Sequence, residues 1–276
     1  MIASRFQYYR PETLDEACQL YMRLQEAKKM PLYYGGGTEI LTRARESAIR
    51  PDAVLDIKHI PECRRLEMSE DTIVFGAAVT LDEICRTNYW PLLSDAAGRV
   101  ADHTTRCKIT LGGHLAGTIP YREASLPFMI FARDAKITVQ GPAGPRRIPL
   151  VQVYDGQLHL GSAEFVVDLS VPRSVRDYRG ASVKTTRIDW VDYPLFTVTM
   201  VRDSSGVRAA FSGVLADPFT SASIDKILSG KADLSQRARE SVAQMNPIID
   251  DLHGSSAYRR FRLTTVISQL LQEIGE

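Results

Sequence analysis

Two glycine-rich turns are the residues of this chain best suited to bind a ligand. Gly35-Gly36-Gly37 and Gly112-Gly113 lie about 75 residues apart, and each follows an apolar run. Glycine leaves the neighbouring backbone N–H groups open to a ligand because it has no Cβ. A helix that starts directly after the first turn would also direct its positive end at a phosphate. Two such turns could hold the two ends of one long, doubly charged ligand.

Known nucleotide-binding motifs do not account for the first turn. A dinucleotide-binding fingerprint reads G-x-G-x-x-G, and Ile40 occupies the position of its last glycine. A P-loop needs Gly-Lys followed by Ser or Thr, whereas Glu39 and Ile40 follow Thr38. Taken alone, each turn is also compatible with an ordinary connection between two elements. The presence of both turns in one chain favours a binding site.

Other polar residues give weaker signals. Asp102 and His103 could form an acid–base pair, but no nucleophile motif such as G-x-S-x-G accompanies them, which favours a helix-end role for His103. The cysteines form no C-x-x-C pair, so the sequence predicts no iron–sulfur or zinc centre of its own. The arginines of the segment 258–262 are interpreted as a solvated helix face whose aromatic residues turn inward.

Regular elements must position the two turns. The first turn follows a predicted strand over Met30–Tyr34 and precedes a helix over Ile40–Arg45, and an earlier helix begins near Thr13. The second turn lies between helical patterns over Pro91–Ala101 and Glu123–Ala132. Further strands are predicted at Ala53–Ile57, Thr72–Phe75, Ala77–Val79, Lys136–Val139 and Phe165–Val171.

Beyond Pro172 the sequence changes to alternating apolar and polar residues, as expected of half-buried strands. Three strands are predicted over Ala181–Thr185, Leu195–Val201 and Val207–Val214, and a helix over Tyr258–Ile274. A three-stranded antiparallel sheet backed by helices would bury both kinds of element. We therefore place a domain boundary near residue 174.

Composition excludes several classes of protein. The chain has 276 residues, 44% of them hydrophobic, and a formal net charge of +1. A near-neutral chain has no basic field for a nucleic acid, so we expect no nucleic-acid partner. No apolar run approaches the roughly 18 residues that a membrane span needs. The N-terminus shows no basic stretch followed by an apolar one, so we expect no signal peptide and a cytoplasmic location.

Both turns resemble motifs of one known family. The segment Tyr34 to Leu41 is similar to the family's Ala-Gly-Gly-Thr-Asp-Leu, and Thr110 to His114 is similar to its Thr-Ile-Gly-Gly-Asn. The segment Tyr9 to Ala17 resembles the family's Pro-x-x-Leu-x-Glu-Ala opening. Together these segments make the chain resemble the FAD-binding (medium) subunit of the molybdenum hydroxylases, of the xanthine dehydrogenase and carbon monoxide dehydrogenase type. The resemblance extends over essentially the whole chain.

The resemblance implies an α+β fold. A two-part FAD-binding domain of the PCMH type would span residues 1–174, with subdomains at about 1–52 and 53–174. A smaller domain at 175–276, with a three-stranded antiparallel sheet and helices, would follow it.

The resemblance also implies which residues bind FAD. The first turn would wrap the pyrophosphate, and the second would lie along the ribityl–pyrophosphate stretch. Phe165 would contact the cofactor through its backbone, and Lys184 and Tyr193 would lie near the isoalloxazine ring. His114 replaces the family's asparagine, and Glu123 is the closest substitute for a missing aspartate. The residues expected in the two turns are Leu32, Tyr33, Tyr34, Gly35, Gly36, Gly37, Thr38 and Glu39, and Thr110, Leu111, Gly112, Gly113 and His114.

The implied function is electron transfer. An iron–sulfur (2Fe-2S) subunit would supply electrons from a molybdopterin subunit, and FAD would pass them to an acceptor such as NAD. No catalytic side chain and no metal ligand is expected in this chain. Two alternatives remain open: a stand-alone flavin oxidoreductase of the same fold, and a non-catalytic assembly or binding subunit that has lost FAD.

Overall fold

The computed structural model describes residues 5–275. The segment 1–4, from which part of the signal-peptide expectation came, and residue 276 lie outside the described residues. Three sheets, ten α-helices and five short 3-10 helices make up the described chain, which confirms the α+β class. The strands are β1 (Gln7–Tyr9), β2 (Pro31–Tyr34), β3 (Ala53–Asp56), β4 (Leu66–Met68), β5 (Thr72–Gly76), β6 (Lys136–Gly141), β7 (Gly144–Pro149), β8 (Phe165–Pro172), β9 (Arg179–Thr185), β10 (Phe196–Asp203), β11 (Gly206–Ser212) and β12 (Phe219–Thr220). The helices are α1 (Leu14–Glu26), α2 (Thr38–Arg45), α3 (Leu81–Thr87), α4 (Pro91–Gly98), α5 (His103–Arg106), α6 (Leu111–Leu115), α7 (Leu126–Ile130), α8 (Ala222–Leu228), α9 (Leu234–Ala243) and α10 (Ser256–Gly275).

The first sheet is parallel and has the order β1-β3-β2. Helix α1 connects β1 to β2, and its first turn is capped by Thr13, whose hydroxyl accepts a hydrogen bond from Glu16 N at 3.1 Å. Its apolar stripe, including Ala17, Cys18 and Leu24, is buried. Because β2 and β3 run parallel, the loops that follow them emerge at the same edge of the sheet.

The second sheet is antiparallel, with the order β4-β5-β8-β6-β7. Its central strand β8 is buried along its length up to Val171, as its apolar sequence predicts. The strand predicted at Ala77–Val79 is wrong, because the chain leaves the sheet after β5. The carbonyls of Ala77 and Val79 instead accept hydrogen bonds from Gly112 N and Leu111 N, each at 2.9 Å.

The third sheet has the order β12-β11-β10-β9, with antiparallel neighbours. The three predicted strands are confirmed, but the sheet has a fourth, β12. Two residues, Phe219 and Thr220, are too few to give a periodic signal. Helices α8, α9 and α10 contribute buried apolar side chains to the core on this sheet.

The interpretation of Arg259 as part of a solvated helix face is wrong. Its side chain is fully buried and donates hydrogen bonds to the carbonyls of Leu195 and Gly213 and to Asp251 Oδ1. The neighbouring Phe261 is 67% exposed, the reverse of the predicted orientation. Carbonyls just outside the ends of β10 and β11 need buried donors, and the long guanidinium supplies them.

Two predicted helices are shorter than expected. The pattern over Pro91–Ala101 gives α4, which ends at Gly98. The pattern over Glu123–Ala132 divides into a 3-10 turn at Glu123–Ser125 and the short helix α7. Among the described helices, none is long and apolar enough to cross a membrane.

Candidate functional site

The first glycine turn connects β2 to α2 and presents free N–H groups. Gly37 has a φ of +71°, in the left-handed region, and a Cβ there would overlap the Tyr34 ring. Within residues 5–275, no protein oxygen accepts a hydrogen bond from the N–H groups of positions 36 to 40. This series of donors lies at the positive end of the helix, which is the arrangement that binds phosphate.

The two glycine turns contact each other directly. A Cβ on Gly36 would overlap the backbone carbonyl of Lys108, and a Cβ on Gly35 would overlap the Thr110 hydroxyl. The structure therefore brings together the two turns that the sequence separates by about 75 residues. Glycine is needed here for close approach as well as for open N–H groups.

The second turn differs from the first because its N–H groups already have protein acceptors. It forms the N-terminus of the short helix α6, capped by Thr110, whose hydroxyl accepts from Gly113 N at 3.3 Å. Leu111 N and Gly112 N donate to carbonyls of the segment after β5. A Cβ on Gly112 would come within 2.7 Å of Ala77 Cβ. The expectation of open N–H groups at this turn is wrong, and its glycines serve packing.

A polar contact joins α2 to the chain after the second turn. The Glu39 carboxylate accepts hydrogen bonds from Thr118 N at 2.9 Å and from its hydroxyl at 2.6 Å. Arg43 donates to the same hydroxyl at 3.0 Å. Glu39 therefore holds the segment after α6 against α2, and its carboxylate is already engaged.

Lys58 contacts the first turn, and sequence reasoning missed it. Its Nζ donates to Gly35 O at 2.8 Å and to Asp56 Oδ2 at 2.7 Å, and it lies 4.6 Å from the centre of the Tyr34 ring. The buried Asp56 also accepts a hydrogen bond from Tyr8 at 2.6 Å. Burial alone would raise the pKa of Asp56, but the hydrogen bonds from Lys58 and Tyr8 hold that pKa below its usual value. Lys58 reaches the first turn because β2 and β3 pair in parallel, so the residues that follow the two strands meet at one edge of the sheet. The sequence showed only that Lys58 follows a predicted strand.

His114 is buried in α6. Its Nε2 accepts a hydrogen bond from Ala124 N at 3.2 Å, so the ring proton lies on Nδ1 in the neutral form. Burial, together with the positive charge of Arg122, lowers the pKa of His114 to about 4. His114 is therefore neutral at pH 7 and connects the second turn to the 3-10 turn that follows.

Glu123 and Lys184 are oppositely charged groups near this 3-10 turn. Burial raises the pKa of Glu123, and the charge of Lys184 partly opposes that shift. Burial likewise lowers the pKa of Lys184, against the attraction of Glu123. Lys184 Nζ also donates to Arg99 O at 3.0 Å. The structure therefore places a strand of the third sheet beside the segment after the second turn.

The two aromatic residues expected near the cofactor, Tyr193 and Phe165, belong to two separate aromatic pairs. Tyr193 is 61% exposed, and its ring lies 5.4 Å from that of Tyr121. Phe165 is buried and packs on Tyr33, with ring centres 4.4 Å apart. Phe165 thus packs on β2, the strand that leads into the first turn, whereas Tyr193 lies in the loop after β9.

The residues of the first turn fit an anionic ligand. Free N–H groups at positions 36 to 40 provide the anion-binding part. A family model described as the FAD-binding domain of molybdopterin dehydrogenases matches residues 4–174. The chain belongs to this family. FAD is accordingly its cofactor, and the free N–H groups of the first turn suit the pyrophosphate of FAD.

Full-length relatives support the same assignment. The chain is 26% identical to the carbon monoxide dehydrogenase medium chain of Hydrogenophaga pseudoflava, covering 94% of this chain and 93% of the relative. It is 25% identical to the nicotine 6-hydroxylase medium subunit of Paenarthrobacter nicotinovorans, covering 97% and 96%. These relatives are oxidoreductase subunits.

A solved structure is similar over the same length. Carbon monoxide dehydrogenase from Hydrogenophaga pseudoflava, in a form that lacks the Mo-pyranopterin moiety of its molybdenum cofactor, superposes with a TM-score of 0.86. The identity is 25%, and the match covers 99% of this chain and 98% of that chain. The shared fold therefore includes all three sheets, with the third sheet and the helices that pack on it.

Proposed function

We propose that this chain is the FAD-binding electron-transfer subunit of a molybdenum-containing hydroxylase or dehydrogenase. It would receive electrons from an iron–sulfur (2Fe-2S) subunit and pass them to an acceptor such as NAD. The observation that supports this most strongly is the series of free N–H groups at positions 36 to 40, in a chain of the FAD-binding family. When bound, FAD supplies both one-electron exchange and two-electron hydride transfer.

The first turn would hold the pyrophosphate. N–H groups of Gly36, Gly37, Thr38 and Glu39 would donate to its oxygens, and the α2 dipole would favour their negative charge. Lys58 would act as a positioning residue, because its hydrogen bond to the Gly35 carbonyl fixes the orientation of the peptide group that carries the Gly36 N–H. Leu32, Tyr33 and Tyr34, at the end of β2, would support the turn from below together with Phe165.

The second turn would contribute through side chains and packing. Thr110 lies against the first turn and Leu111 against the segment after β5, and Gly112 allows that approach. A Cβ on Gly113 would meet only the Thr110 hydroxyl. His114 would stay neutral and keep the 3-10 turn at Glu123 in place. The N–H groups of this turn already donate to protein acceptors. We therefore propose that the second turn packs against the first and does not bind phosphate.

Lys184 and Tyr193 would lie at the flavin end. A protonated Lys184 would favour negative charge on a reduced ring, and the exposed Tyr193 would cover one side of it. Both residues belong to the part that we propose as a C-terminal domain, 175–276, next to a FAD-binding domain of 1–174. One of the three buried clusters supports this division, because its buried members run from Ala181 to Ile274. Val201 and Ala210 of the third sheet pack instead in the cluster formed mainly by residues of the N-terminal part.

Partner chains would carry the metal centres. The sequence has no C-x-x-C pair, and relatives are described as medium chains or medium subunits of their enzymes. We therefore propose an iron–sulfur subunit and a molybdopterin subunit as partners, in a complex located in the cytoplasm.

Co-purification from the native host tests this proposal. The tagged chain should carry the absorbance of bound flavin and should bring down an iron–sulfur protein and a molybdopterin protein, identified by mass spectrometry and metal content. Reduction of a dye by NADH should depend on the bound flavin. A chain that purifies with FAD but without iron or molybdenum proteins would indicate a stand-alone flavin enzyme, and a chain that stays colourless after reconstitution with FAD would indicate a binding subunit. Either result would contradict the proposal.

A further inference from the structure

Asp82, His103 and Cys107 form a cluster of metal-ligating side chains outside the FAD site. His103 Nε2 lies 3.1 Å from Asp82 Oδ1 and 3.8 Å from Cys107 Sγ. All three potential ligand atoms lie within 4.8 Å of one another. None of these residues has a part in the proposed electron transfer, so the cluster needs an explanation of its own.

Local backbone structure holds two of the ligands on one side of a helical turn. Cys107 N donates to His103 O at 3.0 Å, which places the side chains of residues i and i+4 next to each other. Asp102 caps this turn by accepting from Thr105 N at 2.8 Å. Asp102 is therefore a helix cap, and the carboxylate beside His103 belongs to Asp82 in the first turn of α3.

The third ligand is also held in place. Asp82 Oδ2 pairs with Arg86 Nη2 at 2.6 Å, and the Asp82 side chain is only 10% exposed. This pairing leaves Oδ1 directed at His103. A carboxylate fixed by a second partner is the usual support of a metal ligand.

Two of the three ligand–ligand distances are close to those around a tetrahedral metal ion. With Zn–N near 2.0 Å, Zn–O near 2.1 Å and Zn–S near 2.3 Å, tetrahedral angles give ligand–ligand separations of roughly 3.3–3.6 Å. The observed 3.1 Å and 3.8 Å, both measured from His103 Nε2, differ from this range by a few tenths of an ångström. The Asp82 carboxylate and Cys107 Sγ lie within 4.8 Å of each other, and a bound ion would draw them together. One sulfur, one imidazole nitrogen and one carboxylate oxygen form a donor set that suits Zn²⁺ rather than Mg²⁺ or Ca²⁺.

We propose that Asp82, His103 and Cys107 bind a divalent cation of the Zn²⁺ type through Oδ1, Nε2 and Sγ, with water as the fourth ligand. The Cys107 thiol would release its proton to solvent, and the imidazole proton would lie on Nδ1 so that Nε2 can coordinate. Residue Lys108 follows directly, and its carbonyl is the group that packs on Gly36. A bound ion would therefore join α5 to α3 next to the contact between the two glycine turns.

Cobalt titration of the untagged, FAD-loaded chain tests this site independently of electron transfer. After treatment with a chelator, Co²⁺ should bind at one equivalent and give a thiolate-to-cobalt absorption band, and Zn²⁺ should displace it. Cys107→Ser should abolish the band, and His103→Ala should weaken Co²⁺ binding by at least about tenfold. Cys85→Ser is the matched control, because the Cys85 thiol donates a hydrogen bond to Ser94 O and is not part of the cluster. This variant should keep the band.

The variants remain informative because His103 and Cys107 are exposed, so their replacement should leave the fold and the flavin spectrum unchanged. The proposal is overturned if wild-type protein gives no thiolate band at one equivalent of Co²⁺. It is equally overturned if Cys107→Ser retains the band, because the sulfur ligand would then be another cysteine.

Discussion

The two glycine turns have similar sequences but present different backbone surfaces. In the first turn, the N–H groups from position 36 to position 40 have no protein acceptor among the described residues. In the second turn, Leu111, Gly112 and Gly113 donate to Val79, Ala77 and Thr110. The missing Cβ of glycine thus serves ligand access in one turn and close packing in the other. Only the first turn has the donors that a pyrophosphate requires.

The largest expected difference is between Gly36→Ala and Gly113→Ala. A Cβ at position 36 would overlap the Lys108 carbonyl, a backbone atom that cannot move without separating the turns. At position 113 the nearest atom is the Thr110 hydroxyl at 2.9 Å, which can rotate away. We expect Gly36→Ala to weaken FAD binding by more than about 1,000-fold, or about 4 kcal/mol, and Gly113→Ala by less than about tenfold. Flavin fluorescence titration measures both, and equal losses would contradict the distinction.

Protonation of His114 should disrupt the packed second turn. Because burial lowers the pKa of His114 to about 4, the folded state binds this proton less readily than the unfolded state does. Neutral His114 therefore contributes fully to the free energy of unfolding above pH 6.5. This contribution, roughly 3 kcal/mol, is lost as the pH falls from 6.5 towards 4. Urea unfolding at pH 7 and pH 4.5 measures this loss.

His114→Asn is the matched variant, since an amide oxygen can still accept from Ala124 N. This variant should lose less stability than the wild type between the two pH values. Equal losses in both proteins would show that another group causes the acid sensitivity.

Lys58→Met tests whether the hydrogen bond from Lys58 holds the first turn in its binding conformation. The variant loses the bond to the Gly35 carbonyl and leaves Asp56, which is 2% exposed, with Tyr8 as its side-chain partner. We expect FAD affinity to fall by about tenfold, or about 1.4 kcal/mol, because the turn is no longer held in position. Lys58→Arg keeps the charge and should bind with intermediate affinity. A folded Lys58→Met variant with unchanged affinity would contradict the positioning role.

Thr118→Val should have the smallest effect. It removes the hydroxyl that bonds to Glu39 at 2.6 Å, but the Thr118 N–H keeps its own bond to the same carboxylate. Since this contact is exposed, we expect a loss of about 0.5–1 kcal/mol in unfolding free energy and about threefold or less in FAD affinity. A loss of FAD affinity as large as that of Lys58→Met would mean that the Glu39–Thr118 contact is the main link between the first turn and the segment after the second.

Much of the fold follows from local sequence. The continuous apolar run of β8, the alternating strands β9 to β11 and the apolar pattern of the long helix α10 are each visible in the local sequence. The wrong strand at Ala77–Val79 shows the limit, because those carbonyls are used by the second turn, a contact between distant segments. Arg259 shows the same limit, since its partners at Leu195 and Gly213 lie far away in sequence.

The candidate site was predictable only in part. The glycines identify where the backbone can be approached closely, but a sequence does not reveal whether another residue already occupies the N–H groups. Lys58 follows a strand whose neighbour carries the first turn, and recognising it requires the order of strands in the sheet. His114 has an ordinary polar side chain whose neutral state depends on burial by residues elsewhere in the chain.

Amide hydrogen exchange at single-residue resolution, with and without FAD, tests the contrast between the turns most directly. The N–H groups at positions 36 to 40 should exchange rapidly in the free protein and slow markedly when FAD binds. Those of Leu111, Gly112 and Gly113 should be protected in both states and change little. New protection at the second turn without any at the first would contradict the assignment of the pyrophosphate to the first turn.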